Sequence, residues 1–507
     1  MLLTAAILFR LPLLLNARGV HSDAAIVGLQ AEHMLRGEWE PFLWGVRYQG
    51  SVDAVLVAAG FAVAGRSALV LMLVPFLGYL MVLAIVFQLL RKDLTPWRAA
   101  VIVLPIVFTP AAINGVIAYA PRQWSITAVF AATALFDGAA QSRRPWLRFA
   151  FASFLGTSSL YLDLFAAQLL PGVGVFALLC CGEAVSARVA RRRVAWCCAG
   201  LLVAGALIGL VHLVPSDAGL ASPAPPIAAL AVSAPPRVAS WRLLVDTCLP
   251  SLLAAKVFIP GASLYPDLWR PHVAVRAAQA LGALVLLGGV LAGPVVSLRR
   301  HAPPRLRRLG LLGLTVTATA LFGFVASGRP TDVWSTRYLA PILWTAPFSL
   351  AALAGLFGAR SLALALAPYT ISSAVGGWLG FGAYVNGPRP VIDARGAAQD
   401  EAALASLLRR RGVEYGEAQY WLSYRLTFLF DERPMIAPLD PREDRYPPYR
   451  RGFASAPTVA YIFHPSEPRA RAADWEPWLR AQGGRVERLE VGGFTVLLHT
   501  RQGPDQE

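Results

Sequence analysis

Residues 67–92 read SALVLMLVPFLGYLMVLAIVFQLLRK. No charge falls between residues 67 and 90, and the run closes on Arg91-Lys92. About 20 apolar residues carry an α-helix across the roughly 30 Å hydrocarbon core of a bilayer. Comparable stretches flank it, at about 1–17, 99–118, 123–140, 147–161, 164–186, 194–214, 273–298, 309–327, 338–358 and 361–383. The pattern predicts an all-α polytopic bundle of about eleven transmembrane helices over residues 1–384. Composition agrees. Of 507 residues, 56% are hydrophobic and only 15% charged, too little charge to cover a soluble chain of this length and too much apolar content for disorder.

The formal net charge of +16 lies wholly in the first 384 residues, because the tail from 385 holds 17 basic and 17 acidic residues. This charge is spread between apolar runs rather than gathered into a patch, which argues against a nucleic-acid partner. It sorts the loops instead. One set holds Arg91, Lys92 and Arg98; Arg143, Arg144 and Arg148; Arg188 and Arg191 to Arg193; Arg299, Arg300, Arg305, Arg307 and Arg308; and Arg360. Alternate loops are mixed in sign. The positive-inside rule places the basic set, and with it the N-terminus, in the cytoplasm. Loops 18–66, 215–272 and 328–337 then face out, as does the tail (385–507). The expected setting is a bacterial-type inner membrane.

The first segment lacks a basic start and a small-x-small cleavage site, so it reads as a retained helix rather than a signal peptide. It carries Arg10, which either meets a partner inside the bundle or snorkels to the interface. In the first outer loop, Gly50 to Phe61 is apolar but short and broken by glycine, so it reads as an interfacial helix with Asp53 on its wet face. Loop 215–272 is rich in proline, which keeps it from spanning; residues 249–255 read as a re-entrant or interfacial turn, and Lys256 and Arg270 could meet a donor head group.

The tail changes character. Residues 400–409 show helical periodicity with an acidic start. Residues 433–438 and 458–463 read as strands, and 486–499 as a hairpin on Gly492-Gly493. These predict a small extracytoplasmic α/β domain. The aromatic run 415–428 and the Asp444-Arg445-Tyr446 stretch suit either a helix packed into that domain's core or carbohydrate stacking. The five cysteines form no disulfide framework, and nothing has metal-ligand spacing.

The chemistry-bearing residues are outside. His21-Ser22-Asp23 lies just beyond the first span, and Arg47-Tyr48-Gln49-Gly50 lies in the same loop. Asp23 is either a helix cap or a general base whose pKa partial desolvation raises. Arg47, Arg122 and Arg337 lie at outer positions where a guanidinium fork could hold a phosphate, or are solvated loop charges and headgroup anchors. Asp163, at an outer turn, either assists the base and positions a sugar or is satisfied by nearby amides. His21 could hydrogen-bond a sugar or be structural.

The order of these features resembles the GT-C superfamily of polytopic glycosyltransferases, closest to its protein mannosyltransferase-like and aminoarabinose transferase-like branches. The Arg-bearing first helix, Asp23 beyond it, the Ala-rich stretch ending in Leu35-Arg36-Gly37, then Tyr48-Gln49-Gly50 carry the resemblance over residues 1–215. Arg337-Tyr338-Leu339-Ala340-Pro341 carries it over 328–383. The resemblance implies a polyprenyl-phosphate-linked sugar donor, an acceptor hydroxyl on an envelope glycan, lipid or protein, and Asp23 as the base, usually with inversion. Asp23 and Asp163 are the catalytic candidates, Arg47, Arg122 and Arg337 the donor-phosphate candidates, and His21 and Tyr48 the substrate-loop candidates. Some relatives carry a paired acidic motif here. Ser22 stands beside Asp23 instead, so a divalent cation is possible but not indicated, and no other cofactor is implied. Two other functions stay open at this stage: a lipid or sugar transporter or flippase, and a non-enzymatic scaffold whose tail binds glycan.

Overall fold

The computed structural model describes residues 1–118, 121–183, 186–214, 237–256, 273–299, 302–383, 394–453, 455–467 and 470–501. The prolines expected to break loop 215–272, Arg270 and the 384/385 boundary lie outside them.

The chain opens with α1 (Leu2–Leu15), α2 (Ser22–Leu35), β1 (Phe42–Leu43), β2 (Val46–Gly50) and α3 (Val52–Ala64). Then follow α4 (Ala68–Arg91), α5 (Pro96–Val107), α6 (Ala111–Ala118), α7 (Gln123–Asp137), α8 (Pro145–Leu162), α9 (Leu170–Gly182) and α10 (Ala187–Leu213). The bundle is completed by helices Val273–Arg299, Pro304–Ala326, Ala340–Leu356 and Ala359–Ala383. Among the described residues six helical segments are long and apolar enough to cross a membrane, and four shorter apolar helices accompany them. The protein is thus a multi-pass membrane protein. The expected count of eleven full spans is not reproduced. The 99–118 stretch is broken between α5 and α6 around Pro110, where Ser373 Oγ donates 2.7 Å to the freed Phe108 carbonyl. Apolarity alone could not reveal that break.

Arg10 does find a partner within the bundle. It is fully buried, donates at 2.8 Å to Val107 O and at 2.8 Å to Thr109 Oγ1, and lies 4.6 Å from the Tyr79 ring centroid. It is therefore no snorkelling residue; it ties α1 to the end of α5. The Arg-rich loops gather at one end of the bundle. There Asp137, ending α7, takes Lys92 at 2.7 Å and Arg305 at 2.6 Å. Asp93 also pairs with Arg305, and Glu183 with Arg308. The acids at these loop edges neutralise part of the charge that sorts the loops.

At the opposite end α2 and α3 pack on one another beneath the β1–β2 hairpin, an element absent from the expectations above. Its strands pair Phe42 with Gly50 and Leu43 with Val46, and Gln30 Nε2 holds Phe42 O at 2.8 Å. Asp53 corrects an expectation. It is 2% exposed, not on a wet face, because the start of α3 is tucked against the start of α7 and the end of α8. The described part of loop 249–255 is a helical turn with Leu252, Leu253 and Ala254 buried.

The tail is an α/β domain, as expected. Its sheet runs β4-β3-β5-β7-β6, with β3 (Tyr415–Ala418), β4 (Met435–Pro438), β5 (Thr458–Phe463), β6 (Arg485–Val491) and β7 (Phe494–Thr500). The first three are mutually parallel, while β7 is antiparallel to β5 and β6. The β6–β7 turn uses Gly492 and Gly493, at φ +55° and +75°, a region that costs L side chains dearly. Leu404, Leu408, Leu422, Ile436, Ile462 and Val496 fill one face. The aromatic run splits: residues 415–418 form β3, and only Tyr420–Leu429 is helical. That helix packs its Tyr420, Tyr424 and Phe428 with α2 residues in a shared core.

Candidate functional site

Between the tail and the end of the bundle away from the Arg-rich loops lies a cavity of about 450 Å³, within the roughly 300–1,000 Å³ range of small-molecule sites. Asp23 of α2, Arg47 and Tyr48 of β2, Arg122 before α7, and Arg337 line it. So do Tyr420, Trp421, Arg442 and Arg445 of the tail. Five of the seven candidate residues, far apart in sequence, thus share one cavity. Asp163 and His21 do not line it.

Asp23 sits in the first turn of α2, where the helix N-terminus favours a carboxylate. The cap itself is His21, whose Nδ1 accepts from Ala24 N at 3.1 Å. This settles one alternative: Asp23 is not the cap, so its side chain is free for other work. Tyr420 Oη donates to Asp23 Oδ1 at 2.5 Å, and among the described residues no other side chain hydrogen-bonds it. Ser22 is fully buried and turned away, donating to Tyr420 O at 2.5 Å. Burial alone would push the Asp23 carboxyl up. His21, Arg445, the Tyr420 hydroxyl and Arg122 outweigh it and hold the group below its usual value. The expected upward shift is corrected: Asp23 is a firm carboxylate at neutral pH. Burial, reinforced by Arg122 and Arg337, holds His21 at about 4 against the pull of Asp23, so His21 is neutral there and adds nothing to the stabilisation of Asp23 at that pH.

The arginines differ in what already occupies them. Arg122 Nε donates to Asp163 Oδ2 at 3.2 Å, while Asp163 Oδ1 accepts from Phe165 N at 2.7 Å. Asp163 therefore faces Arg122 and a turn amide. Arg442 is taken by Asp440 at 2.8 Å. Asp444 accepts from Arg450 at 3.1 Å and from Tyr424 at 2.6 Å. Arg337, half-buried over the Tyr338 ring, has no carboxylate partner among the described residues, and its buried Nε is unpartnered. Arg47 meets the Phe42 ring at 5.7 Å. The cavity is lined by five arginines, Arg47, Arg122, Arg337, Arg442 and Arg445, against three acids, Asp23, Glu443 and Asp444, a surplus of positive charge that suits an anionic ligand beside a base. Among the described residues no group of three or more His, Cys, Asp or Glu side chains is placed to hold a metal ion.

Arg445 and Tyr420, which hold Asp23, were legible only as members of an aromatic and arginine-rich tail. Nothing in their spacing linked them to residue 23. Gly45 is the backbone device that admits Arg445. It has φ +69°, and a methyl there would come within 2.6 Å of Arg445 Cδ and 2.7 Å of its Cα. Gly45→Ala is therefore expected to lose roughly 1–3 kcal/mol of stability and to displace Arg445. A thermal-unfolding midpoint equal to that of the parent would refute this.

No protein-family model and no curated protein sequence matches the chain. Solved structures do match in fold. A crystal structure of ArnT from Cupriavidus metallidurans bound to undecaprenyl phosphate superposes with a TM-score of 0.56 at 12% identity, covering 97% of each chain. The chain has a GT-C fold. The oligosaccharyltransferase of Archaeoglobus fulgidus, crystallised with zinc and sulfate, is similar at a TM-score of 0.50 and 13% identity, over 91% of this chain and 68% of that one.

Proposed function

We propose that the protein is a membrane glycosyltransferase that moves a sugar from a polyprenyl-phosphate donor to an acceptor hydroxyl at the extracytoplasmic face. The observation that carries this is the shared cavity of Asp23, Arg122 and Arg337 at the bundle end away from the Arg-rich loops. The N-terminus is then cytoplasmic and the tail extracytoplasmic, in a bacterial-type inner membrane. The ArnT structure that matches in fold holds undecaprenyl phosphate, which supports a polyprenyl-linked donor here.

In the proposed reaction the acceptor oxygen attacks the anomeric carbon as Asp23 takes its proton. The bond from that carbon to the phosphate oxygen breaks, and the electron pair leaves with the lipid phosphate. One displacement inverts the anomeric centre. Tyr420, raised well above its ordinary pKa by burial and by Asp23, remains a proton donor that fixes the base. Arg122 and Arg337 receive the charge developing on the departing phosphate, with Arg47 beside them. The enzyme's work is alignment and electrostatics, so no covalent intermediate is required.

Two measurements test this. Cells lacking the protein are expected to accumulate one polyprenyl-phosphate sugar and to lose the matching sugar from an envelope glycan, lipid or protein. The purified protein is expected to release polyprenyl phosphate from that donor only when acceptor is present. Movement of a lipid or sugar across vesicles without glycosyl product would establish a transporter instead.

A further inference from the structure

Arg122 is held in a way that an ordinary loop arginine is not. It caps α7 at φ +120° and ψ −32°, a strained conformation for a residue with a Cβ. Such strain persists only where the surroundings over-determine it, and it gathers at functional sites. Two carboxyl groups meet the residue. Asp163, 4% exposed at the end of α8, pairs with Nε of the guanidinium. Asp53, 2% exposed at the start of α3, accepts from the Arg122 backbone N–H, and its Oδ2 has no partner among the described residues. The two terminal guanidinium nitrogens take no protein partner among the described residues, and Arg122 lines the cavity.

We propose that Asp53 and Asp163 are positioning residues that clamp Arg122, one by its main chain and the other by its guanidinium, so that its terminal nitrogens are presented to a lipid phosphate in the cavity. The proposal rests on the donor assignment made above. The two carboxyl groups divide the work. Asp163 pairs with the guanidinium directly; burial raises its carboxyl, while Arg122 and the Phe165 N–H pull it back toward the anion. Asp53 supplies an acceptor oxygen; burial and the neighbouring Asp163 raise its carboxyl to about 7, so much of it carries no charge near neutrality. A second full anion behind Arg122 would compete with the ligand phosphate for the same cation, and a neutral acid avoids that.

The test is binding of a polyprenyl monophosphate to the purified full-length protein in detergent near pH 7. A hydrogen bond to a charged group is worth enough that Asp163→Ala is expected to weaken binding by roughly tenfold or more. Asp163→Asn does not rescue it, because the charge is gone. Asp53→Ala weakens binding, while Asp53→Asn, whose amide oxygen still accepts from the Arg122 N–H, restores it to within about twofold of the parent. In an Arg122→Ala background, Asp163→Ala has no further effect. Parent-like binding by both alanine variants overturns the clamp alone. So does an Asp163→Ala loss of equal size with Arg122 absent, or failure of Asp53→Asn where it is folded. A parent protein that binds no polyprenyl phosphate overturns the donor assignment, and the clamp with it.

Discussion

Asp23→Asn should leave the protein folded and abundant while cutting transfer by roughly 10²–10⁴-fold, the usual worth of a positioned general base. The fold survives because asparagine keeps an oxygen for the Tyr420 hydroxyl and because His21, not residue 23, caps α2. What is lost is the basic oxygen. The donor's KM should change little, since the candidate phosphate ligands Arg122 and Arg337 are untouched, so the loss falls on kcat. The pH profile follows from the charges around Asp23. Its carboxyl is held below its usual value despite burial, chiefly by His21, Arg445, Tyr420 and Arg122. With Asp23 as the proposed base the ionised form is the active one, so the rate should be flat through neutrality and fall only as pH drops through that depressed value. Arg445→Ala removes one of the groups that depress it, so the acid limb should move to higher pH. A folded Asp23→Asn variant with full transfer activity would remove Asp23 from the mechanism.

Much of this was visible in the sequence because membranes impose simple rules. The apolar runs marked the helices, and the arginine bias sorted their ends; Asp93, Asp137 and Glu183, the few acids at the basic end, prove to be paired there. Asp23, Arg47, Tyr48, Arg122 and Arg337 were legible as outer-face polar residues, and they meet in one cavity. The contribution of the tail was not legible. Tyr420 reaches Asp23 across 397 positions and Arg445 acts on it from farther still along the chain, and no local periodicity encodes a docking angle between a soluble domain and a bundle. Asp53 was misplaced for a related reason. At the start of its helix it meets Arg122 before α7 and Asp163 at the end of α8, neighbours that its own stretch of sequence does not reveal. The direction of the Asp23 shift failed with it: burial was foreseeable, but not that His21, Arg445, the Tyr420 hydroxyl and Arg122 together outweigh it.

Docking of that tail yields the second large effect. Glu401, fully buried in the Ala394–Arg410 helix, accepts Arg18 Nε at 3.0 Å and Nη2 at 2.9 Å beyond the end of α1. It also pairs with Arg425, 1% exposed, in the Tyr420–Leu429 helix that carries Tyr420 to the cavity. Among the described residues Arg425 Nε and Nη1 have no partner, and beyond the Arg18 carbonyl at 3.2 Å from Nη2 the Glu401 carboxylate is the charge that compensates its burial. Removing one member of a buried pair costs more than the pair ever contributed, because the survivor is a desolvated charge. Glu401→Ala is therefore expected to lose roughly 3–5 kcal/mol of stability, read as a fall in the thermal-unfolding midpoint of the purified protein. Activity should fall with it as Tyr420 and Arg445 lose their registry with Asp23. The compensated variant Glu401→Leu with Arg425→Met separates the causes: apolar replacement of both charges recovers most of the stability. If Glu401→Ala alone unfolds within about 1 kcal/mol of the parent, the guanidinium of Arg425 reaches water or another anion, and the tail is held to the bundle chiefly by the apolar contacts between the Tyr420–Leu429 helix and α2.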